Sequence, residues 1–390
     1  MADNITGRLN ENIRRFKKVS YVEKTNNYEA GGEINTFNSC EQRGPVIDCS
    51  LGINPLGFSD KIDPGDFQLK RENLRRYPDP AYPGLVREIR SYWRDLGVNF
   101  SGQVFLGTGA AGILKNLVNM FIDSAGRALG YTPQFSEVIN FVRLAGGEYH
   151  SLKLTGREDF RFSGRKFLQK MDENFDLVYL DNPNNPTGQV IDLAEIKRVI
   201  ERAGSLAIPV VVDEAFAEFM PEKNSALNLL SEFNNLIVVR SFSKGLGLPD
   251  IRLGYVFMPP DLAPYYEKIN LPPFVFSRSL QGLAAAALKD RSFIRKSRRV
   301  ISREKEELLE CCPDEFQLYP GAPTVPLFMM ALGEHDVDLH RLLLSAGIKT
   351  APGGGFPGLK NNIVRLCLPG QKREDLKERF KNLDSIIDNI

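Results

Sequence analysis

The sequence predicts an α/β fold, with a mostly parallel central sheet, helices on both faces and a smaller α/β C-terminal domain. Three observations carry this. Short apolar runs rich in β-branched residues, among them Leu177-Val178-Tyr179-Leu180, Val210-Val211-Val212 and Leu236-Ile237-Val238-Val239, alternate with helical stretches, as buried parallel strands alternate with crossover helices. Beyond Asp290 the pattern changes to charged helices and isolated strands. A chain of 390 residues suits one large domain with a smaller companion.

Taken in order, residues 1–20 set Ile5, Leu9, Ile13 and Phe16 among Arg14, Arg15, Lys17 and Lys18, the stripe of a surface or arm helix. Residues 46–58 form an extended segment that closes in the turn Asn54-Pro55-Leu56-Gly57. The turn Tyr77-Pro78-Asp79-Pro80 precedes an amphipathic helix carrying Leu85, Ile89 and Trp93. Val104-Phe105-Leu106 leads into a helix from about Ala110, and Ala128-Leu129-Gly130-Tyr131 into one after Pro133. The later elements are a helix over 293–312, a strand over 325–330, a helix over 337–346, a strand over 363–368 and a last helix near Arg373. The expected division is an N-terminal arm and part of the small domain over 1–75, a large domain over 76–288 and a small C-terminal domain over 289–390. The chain has no internal repeat and no low-complexity segment.

Composition narrows the function. A net charge of +1 gives no electrostatic case for nucleic acid or an anionic membrane. Charges at the N-terminus occupy the place of a signal peptide's apolar core, and no apolar run reaches the length of a membrane span. Cys40, Cys49, Cys311, Cys312 and Cys367 are odd in number and lack a CxxC spacing, which points to reduced thiols in the cytoplasm. With His150, His335 and His340 the only histidines, no metal site is expected.

Three motifs carry chemistry. In Ser241-Phe242-Ser243-Lys244, followed by Arg252, a lysine stands among small hydroxyls with an arginine downstream. Its amine can form an imine with an aldehyde while hydroxyls and guanidinium hold a phosphate. Upstream lie Asn182-Pro183-Asn184-Asn185-Pro186-Thr187-Gly188 and Asp213-Glu214-Ala215-Phe216. In this order, the three resemble those of the pyridoxal-phosphate (PLP) aminotransferases of fold type I. In an α/β sheet ligands bind at the strands' carboxyl ends, where each motif is expected to lie.

The resemblance implies a role for each residue. Lys244 carries the cofactor as a Schiff base and shuttles a proton. Ser241, Ser243 and Arg252 hold the phosphate with backbone N–H groups of Gly109, Ala110 and Ala111 at a helix start. Asp213 pairs with the pyridinium nitrogen. Asn185 donates to the ring's phenolate, and Phe135 stacks on the ring. Phe216 stands where many aminotransferases have tyrosine, so it cannot supply a second donor. Arg365 clamps the substrate α-carboxylate, with Gly52 and Asn185 beside it. Tyr77 reaches across a homodimer to the neighbour's phosphate.

Similarity runs from about residue 30 to the end and is closest to the branch of histidinol-phosphate aminotransferases and threonine-phosphate decarboxylases. Asp48-Cys49-Ser50-Leu51-Gly52-Ile53-Asn54-Pro55-Leu56-Gly57, Arg76-Tyr77-Pro78-Asp79 and Ala30-Gly31-Gly32-Glu33 carry it. The decarboxylases share Asp-Glu-Ala-Phe. They have, however, histidine at Ala30, asparagine at Glu33 and an arginine where this chain has Pro369-Gly370. Lys349 and Arg43 are candidates to compensate. The resemblance implies an aminotransferase acting on an L-amino acid and a 2-oxo acid. The alternatives are a decarboxylase or other lyase on the same scaffold, and an aminotransferase-like sensor domain, which requires a DNA-binding domain and basic recognition helix not found here.

Overall fold

Runs of β-branched residues with no polar position become strands buried on both faces. The computed structural model describes residues 17, 46–67, 71–98, 100, 102–270, 274–333, 337–370 and 372–383. Apart from Lys17, the expected helix over 1–20 lies outside them, as do Ala30, Glu33, Cys40, Arg43 and His335. After the short strand β1 (Ile47–Asp48) come β2 (Gln103–Thr108), β3 (Arg127–Thr132), β4 (Glu148–Lys153), β5 (Leu177–Asp181), β6 (Val210–Asp213), β7 (Leu236–Ser241) and β8 (Leu253–Met258). The seven from β2 onward form one sheet in the order β2-β8-β7-β6-β5-β3-β4. All its pairings are parallel except those of β8, which runs antiparallel to both β2 and β7.

Helices cover both faces. Ile113, Leu117 and Val118 of α2 (Gly109–Phe121), with Val138 and Val142 of α3 (Ser136–Ala145), pack on Leu177, Tyr179, Val211, Ile237 and Val239. The alternate strand residues Val178, Leu180, Val210, Val212 and Val238 meet Ile196, Val199 and Ile200 of α4 (Leu193–Ser205) on the other face. The amphipathic helix expected after the Tyr77 turn is α1 (Pro83–Arg94), with Leu85, Ile89 and Trp93 buried.

A second core forms around an antiparallel sheet of β9 (Phe316–Tyr319), β10 (Leu327–Leu332), β12 (Ala351–Pro352) and β13 (Ile363–Cys367). The short strand β11 (Ile348–Lys349) pairs with β1. Ile47 and Cys49 therefore join a cluster otherwise built from Phe216, Phe219 and residues beyond 300. Ile62, also before residue 76, packs instead in the first core. The helix α5 (Arg291–Leu309) spans both cores, with Phe293 and Ile294 in the first and Ile301 and Leu308 in the second.

On the same helix Lys305 is buried, and its Nζ donates to the carbonyls of Ala322 (3.0 Å), Val325 (2.9 Å) and Leu327 (2.8 Å). Burial pushes its pKa down to about 7, while three acceptors match the three N–H bonds of an ammonium and oppose that loss. Lys305→Met removes the donor from three carbonyls at once. It is expected to cost about 3 kcal/mol in urea denaturation; an unchanged midpoint would show that the loop rearranges without penalty.

Candidate active site

Side chains of opposite character meet where β3, β5, β6 and β7 end. A cleft of about 190 Å³ opens there, and its lining includes Ala110, Ala111, Phe135, Asn185, Asp213, Phe216, Ser241, Ser243, Lys244 and Arg252. Of the residues expected to hold a cofactor, these ten share one cavity. Gly109 borders it as the first residue of α2, with φ +68°. A Cβ on Gly109 would lie 2.9 Å from Arg252 Nη2, so the glycine lets the guanidinium reach the helix start. Arg252 Nη1 lies 3.5 Å from Ser243 Oγ, and Ser241 Oγ accepts from the Ser243 N–H at 3.1 Å. Helix N–H groups, two hydroxyls and a guanidinium thus converge as a phosphate site requires.

Asp213 ends β6 and is buried. Its oxygens accept from the Tyr179 hydroxyl (3.1 Å) and the Ala215 N–H (2.9 Å). Burial, then the negative charge of Asp181, pushes its pKa up to about 7. A carboxylate in that state is stabilised by a cationic partner. Lys244 is half-buried, with Nζ 5.2 Å from the centre of the Phe216 ring. Burial, reinforced by the Arg365 charge, lowers its pKa to about 8, which makes the neutral, nucleophilic amine accessible near neutral pH.

Arg365 lies on β13 and is buried. Nη1 donates to Asn185 Oδ1 at 3.2 Å, and Nη2 donates to the carbonyl of Ser50. Gly52 stands against this pair: a Cβ there would come within 2.9 Å of Phe216 and 3.3 Å of Arg365 Nη1. The proposed substrate contacts Arg365, Gly52 and Asn185 are therefore neighbours. Lys349, a candidate to bind phosphate, lies 3.4 Å from Asp48 in an ion pair.

Tyr77 is placed elsewhere. It is 82% exposed, its ring lies 5.4 Å from that of Phe274, and Arg278 Nη2 donates to its carbonyl at 3.0 Å. It does not line the cleft of its own chain. Conversely, Asp181 lies outside the motifs yet lines the cleft, and Pro183 and Ala215, inside two of them, line it without an expected role. For Asp181 a signal exists: like Asp213, it is an acidic residue ending an apolar run.

Comparison with known proteins agrees with this geometry. Residues 59–383 match the family model described as aminotransferase class I and II. The chain belongs to this family of enzymes. Among relatives, a protein of Caldanaerobacter subterraneus subsp. tengcongensis provisionally named threonine-phosphate decarboxylase is 33% identical over 356 residues, 90% of this chain and 92% of the relative. A histidinol-phosphate aminotransferase of Methanococcus maripaludis is 27% identical over 344 residues, 88% of this chain and 90% of the relative. The crystal structure of histidinol-phosphate aminotransferase from Clostridium acetobutylicum has a TM-score of 0.75 at 23% identity, covering 88% of this chain and all of that one. The enzyme of the same name from Sinorhizobium meliloti, solved in complex with pyridoxal-5′-phosphate, also has a TM-score of 0.75, at 22% identity over 89% of this chain and 92% of that one. At these identities the solved structures establish the shared fold, that of the fold type I PLP enzymes. Class I and II aminotransferases use pyridoxal phosphate, and the cleft fits that group: an anion cradle at one end, Asp213 and Asn185 along the walls, Phe135 at its face and the amine of Lys244.

Proposed function

We propose that the protein transfers the amino group of an L-amino acid to a 2-oxo acid through Lys244. The observation that carries this reading is the buried Arg365 guanidinium held 3.2 Å from Asn185, beside a cleft that contains a lysine of lowered pKa. When bound, pyridoxal phosphate supplies an aldehyde for the amino group and a ring that draws electrons from the α-carbon. Ser241, Ser243, Arg252 and the N-terminus of α2 hold its phosphate. Asp213 keeps a proton at the ring nitrogen, Asn185 donates to the ring oxygen and Phe135 limits ring tilt. Arg365 grips the substrate carboxylate in two places, which fixes the bond at the α-carbon that faces Lys244. Lys244, poised between charged and neutral forms, would take the proton from the α-carbon and deliver it to the carbon supplied by the cofactor's aldehyde, with the amino nitrogen between the two.

The deciding experiment offers a panel of L-amino acids to the PLP-loaded enzyme and analyses the products. A 2-oxo acid with conversion of the cofactor to its amine form supports transamination. The second reading, decarboxylation of threonine phosphate, is favoured by the 33% identical relative. Against it stand Ala30 and Glu33, where the decarboxylases have histidine and asparagine, Pro369-Gly370, where they have an arginine, and the engagement of Lys349 by Asp48. Efficient release of aminopropanol phosphate would place the second reading first.

Arg365→Ala is expected to raise KM steeply and to lower kcat/KM for every accepted amino acid, because a desolvated charged contact is worth roughly 2–5 kcal/mol. Cofactor retention should persist, since Arg365 is outside the proposed PLP contacts, although loss of its charge raises the pKa of Lys244. Equal losses of KM performance and cofactor binding would reassign Arg365 to the cofactor.

The reading includes a cytoplasmic homodimer. Leu74, Tyr77, Phe274 and Val275 are exposed large hydrophobic side chains. An apolar surface of this kind suits a second copy, and Tyr77, exposed and away from its own chain's cleft, would be available to a neighbour's. Among the described residues no helix is long and apolar enough to cross a membrane.

A further inference from the structure

Asp181 ends β5 directly opposite Asp213 on β6 in the parallel register. It is buried, lines the cleft, and has no counterpart among the groups assigned above. Its Oδ1 accepts from the Tyr131 hydroxyl (2.6 Å), Gln134 Nε2 (3.0 Å) and Asn184 Nδ2 (3.0 Å). Its Oδ2 accepts from the backbone N–H of Asn185 at 3.1 Å. Gln134 immediately precedes Phe135 and receives a second bond from the Tyr149 hydroxyl. Asn184 in turn holds Thr187 through the Thr187 N–H (2.9 Å) and hydroxyl (2.6 Å). One carboxylate therefore gathers two turns, one that bears Phe135 and one that bears Asn185.

A buried carboxylate is costly unless its lone pairs are used, and here four donors use them. Asparagine has the same size but offers an NH₂ where Oδ2 stands, donor against the donor of Asn185. Asp181 also has an electrostatic consequence. After burial, it is the largest influence raising the basicity of Asp213, which favours a proton on the ring nitrogen that Asp213 faces. The titratable groups around the two carboxylates are Tyr131, Tyr149 and Tyr179, with Glu214 next to Asp213 and Lys244 near enough to interact with its charge.

We propose that Asp181 is a positioning residue that sets both Asn185 and Phe135 against the cofactor and, through Asn185, orients Arg365 for the substrate carboxylate. Phe216 gives the arrangement its importance, because the ring oxygen has no phenol there to receive a hydrogen bond from and depends on Asn185. The inference rests on the cleft being the PLP site, and its failure is separable from failure of that reading. Wild-type protein that shows no visible absorbance with PLP disproves the cofactor site and the inference together. Wild-type absorbance with an unaltered variant disproves the inference alone.

The test uses the PLP-loaded full chain with Asp181→Asn. The visible circular-dichroism band of the bound cofactor, which reports its seating between fixed groups, is expected to weaken. The amino-acid KM is expected to rise on the order of tenfold, as when an outer hydrogen-bond partner of a site is lost. In an Asn185→Ala background Asp181→Asn should add little further to KM, because the route to Arg365 is already cut. Tyr131→Phe removes one of the four bonds and keeps the carboxylate, so it should shift both readouts in the same direction by less, and it serves if Asp181→Asn does not fold. A dichroism band and KM unchanged in the folded variants, whatever their melting temperatures, overturn the proposal. So does a full additional loss in the Asn185→Ala background.

Discussion

Lys244→Ala is expected to abolish covalent cofactor retention and to reduce turnover by at least about 10⁴-fold, the upper end of what a positioned proton carrier contributes. The proposed reaction gives the lysine two tasks that no neighbour can share. Its amine is the nucleophile toward the aldehyde, made available by burial and by the nearby Arg365 charge, which lower its pKa to about 8. In the proposed reaction it would also move the proton. Arg252 and Arg365, the other cations named at the site, are guanidinium groups that stay protonated and cannot form an imine. The check is borohydride reduction followed by peptide mass analysis. Wild-type protein should carry the cofactor mass on the peptide containing Lys244, and the variant should carry none. Added PLP should not restore turnover. Wild-type activity in Lys244→Ala would sink the assignment of the cleft.

Much of the cleft was legible because its residues follow the strands that were easiest to see. Val210-Val211-Val212 announces a buried strand, and the next residue, Asp213, must therefore sit at its carboxyl end. Ser241 at the end of β7 is legible for the same reason. Arg365 came from resemblance rather than from any local rule. The orientation of β8 was not read, although the connection from Ser241 to Leu253 is short for a parallel crossover and suits an antiparallel return. The strand Glu148–Lys153 escaped because it is a sheet edge whose mixed polar sequence shows no apolar run. Asp181 needed the register: only pairing with Asp213 reveals two carboxylates side by side. Lys305 lies four residues after Ile301 and three before Leu308, on the buried stripe of its helix. That spacing was a signal, but periodicity cannot say that three loop carbonyls wait for its ammonium.

Asp213→Asn is expected to lower kcat/KM by roughly 10²–10³-fold, the scale of removing one preorganised electrostatic group from a reacting centre. A neutral amide can accept a hydrogen bond yet cannot hold a proton on the ring nitrogen, so the electron sink weakens. The same residue gives a second, independent readout in the protein without cofactor. Its folded pKa, about 7, lies above the ordinary value of 3.8. The folded chain therefore binds this proton more tightly than the unfolded chain. The stability it contributes is fully present below 3.8 and is lost as pH rises through about 7. Over that window the cofactor-free wild type should lose stability relative to cofactor-free Asp213→Asn, whose amide does not ionise. Adding PLP places a cationic ring beside the carboxylate, and the wild type should regain more than the variant does. Melting curves of both proteins across the window, with and without PLP, test this. If Asp213 were only a structural acceptor, one oxygen taking the Tyr179 hydroxyl and the other the Ala215 N–H, Asp213→Asn would cost stability but leave the rate near wild type, and PLP would stabilise both proteins equally.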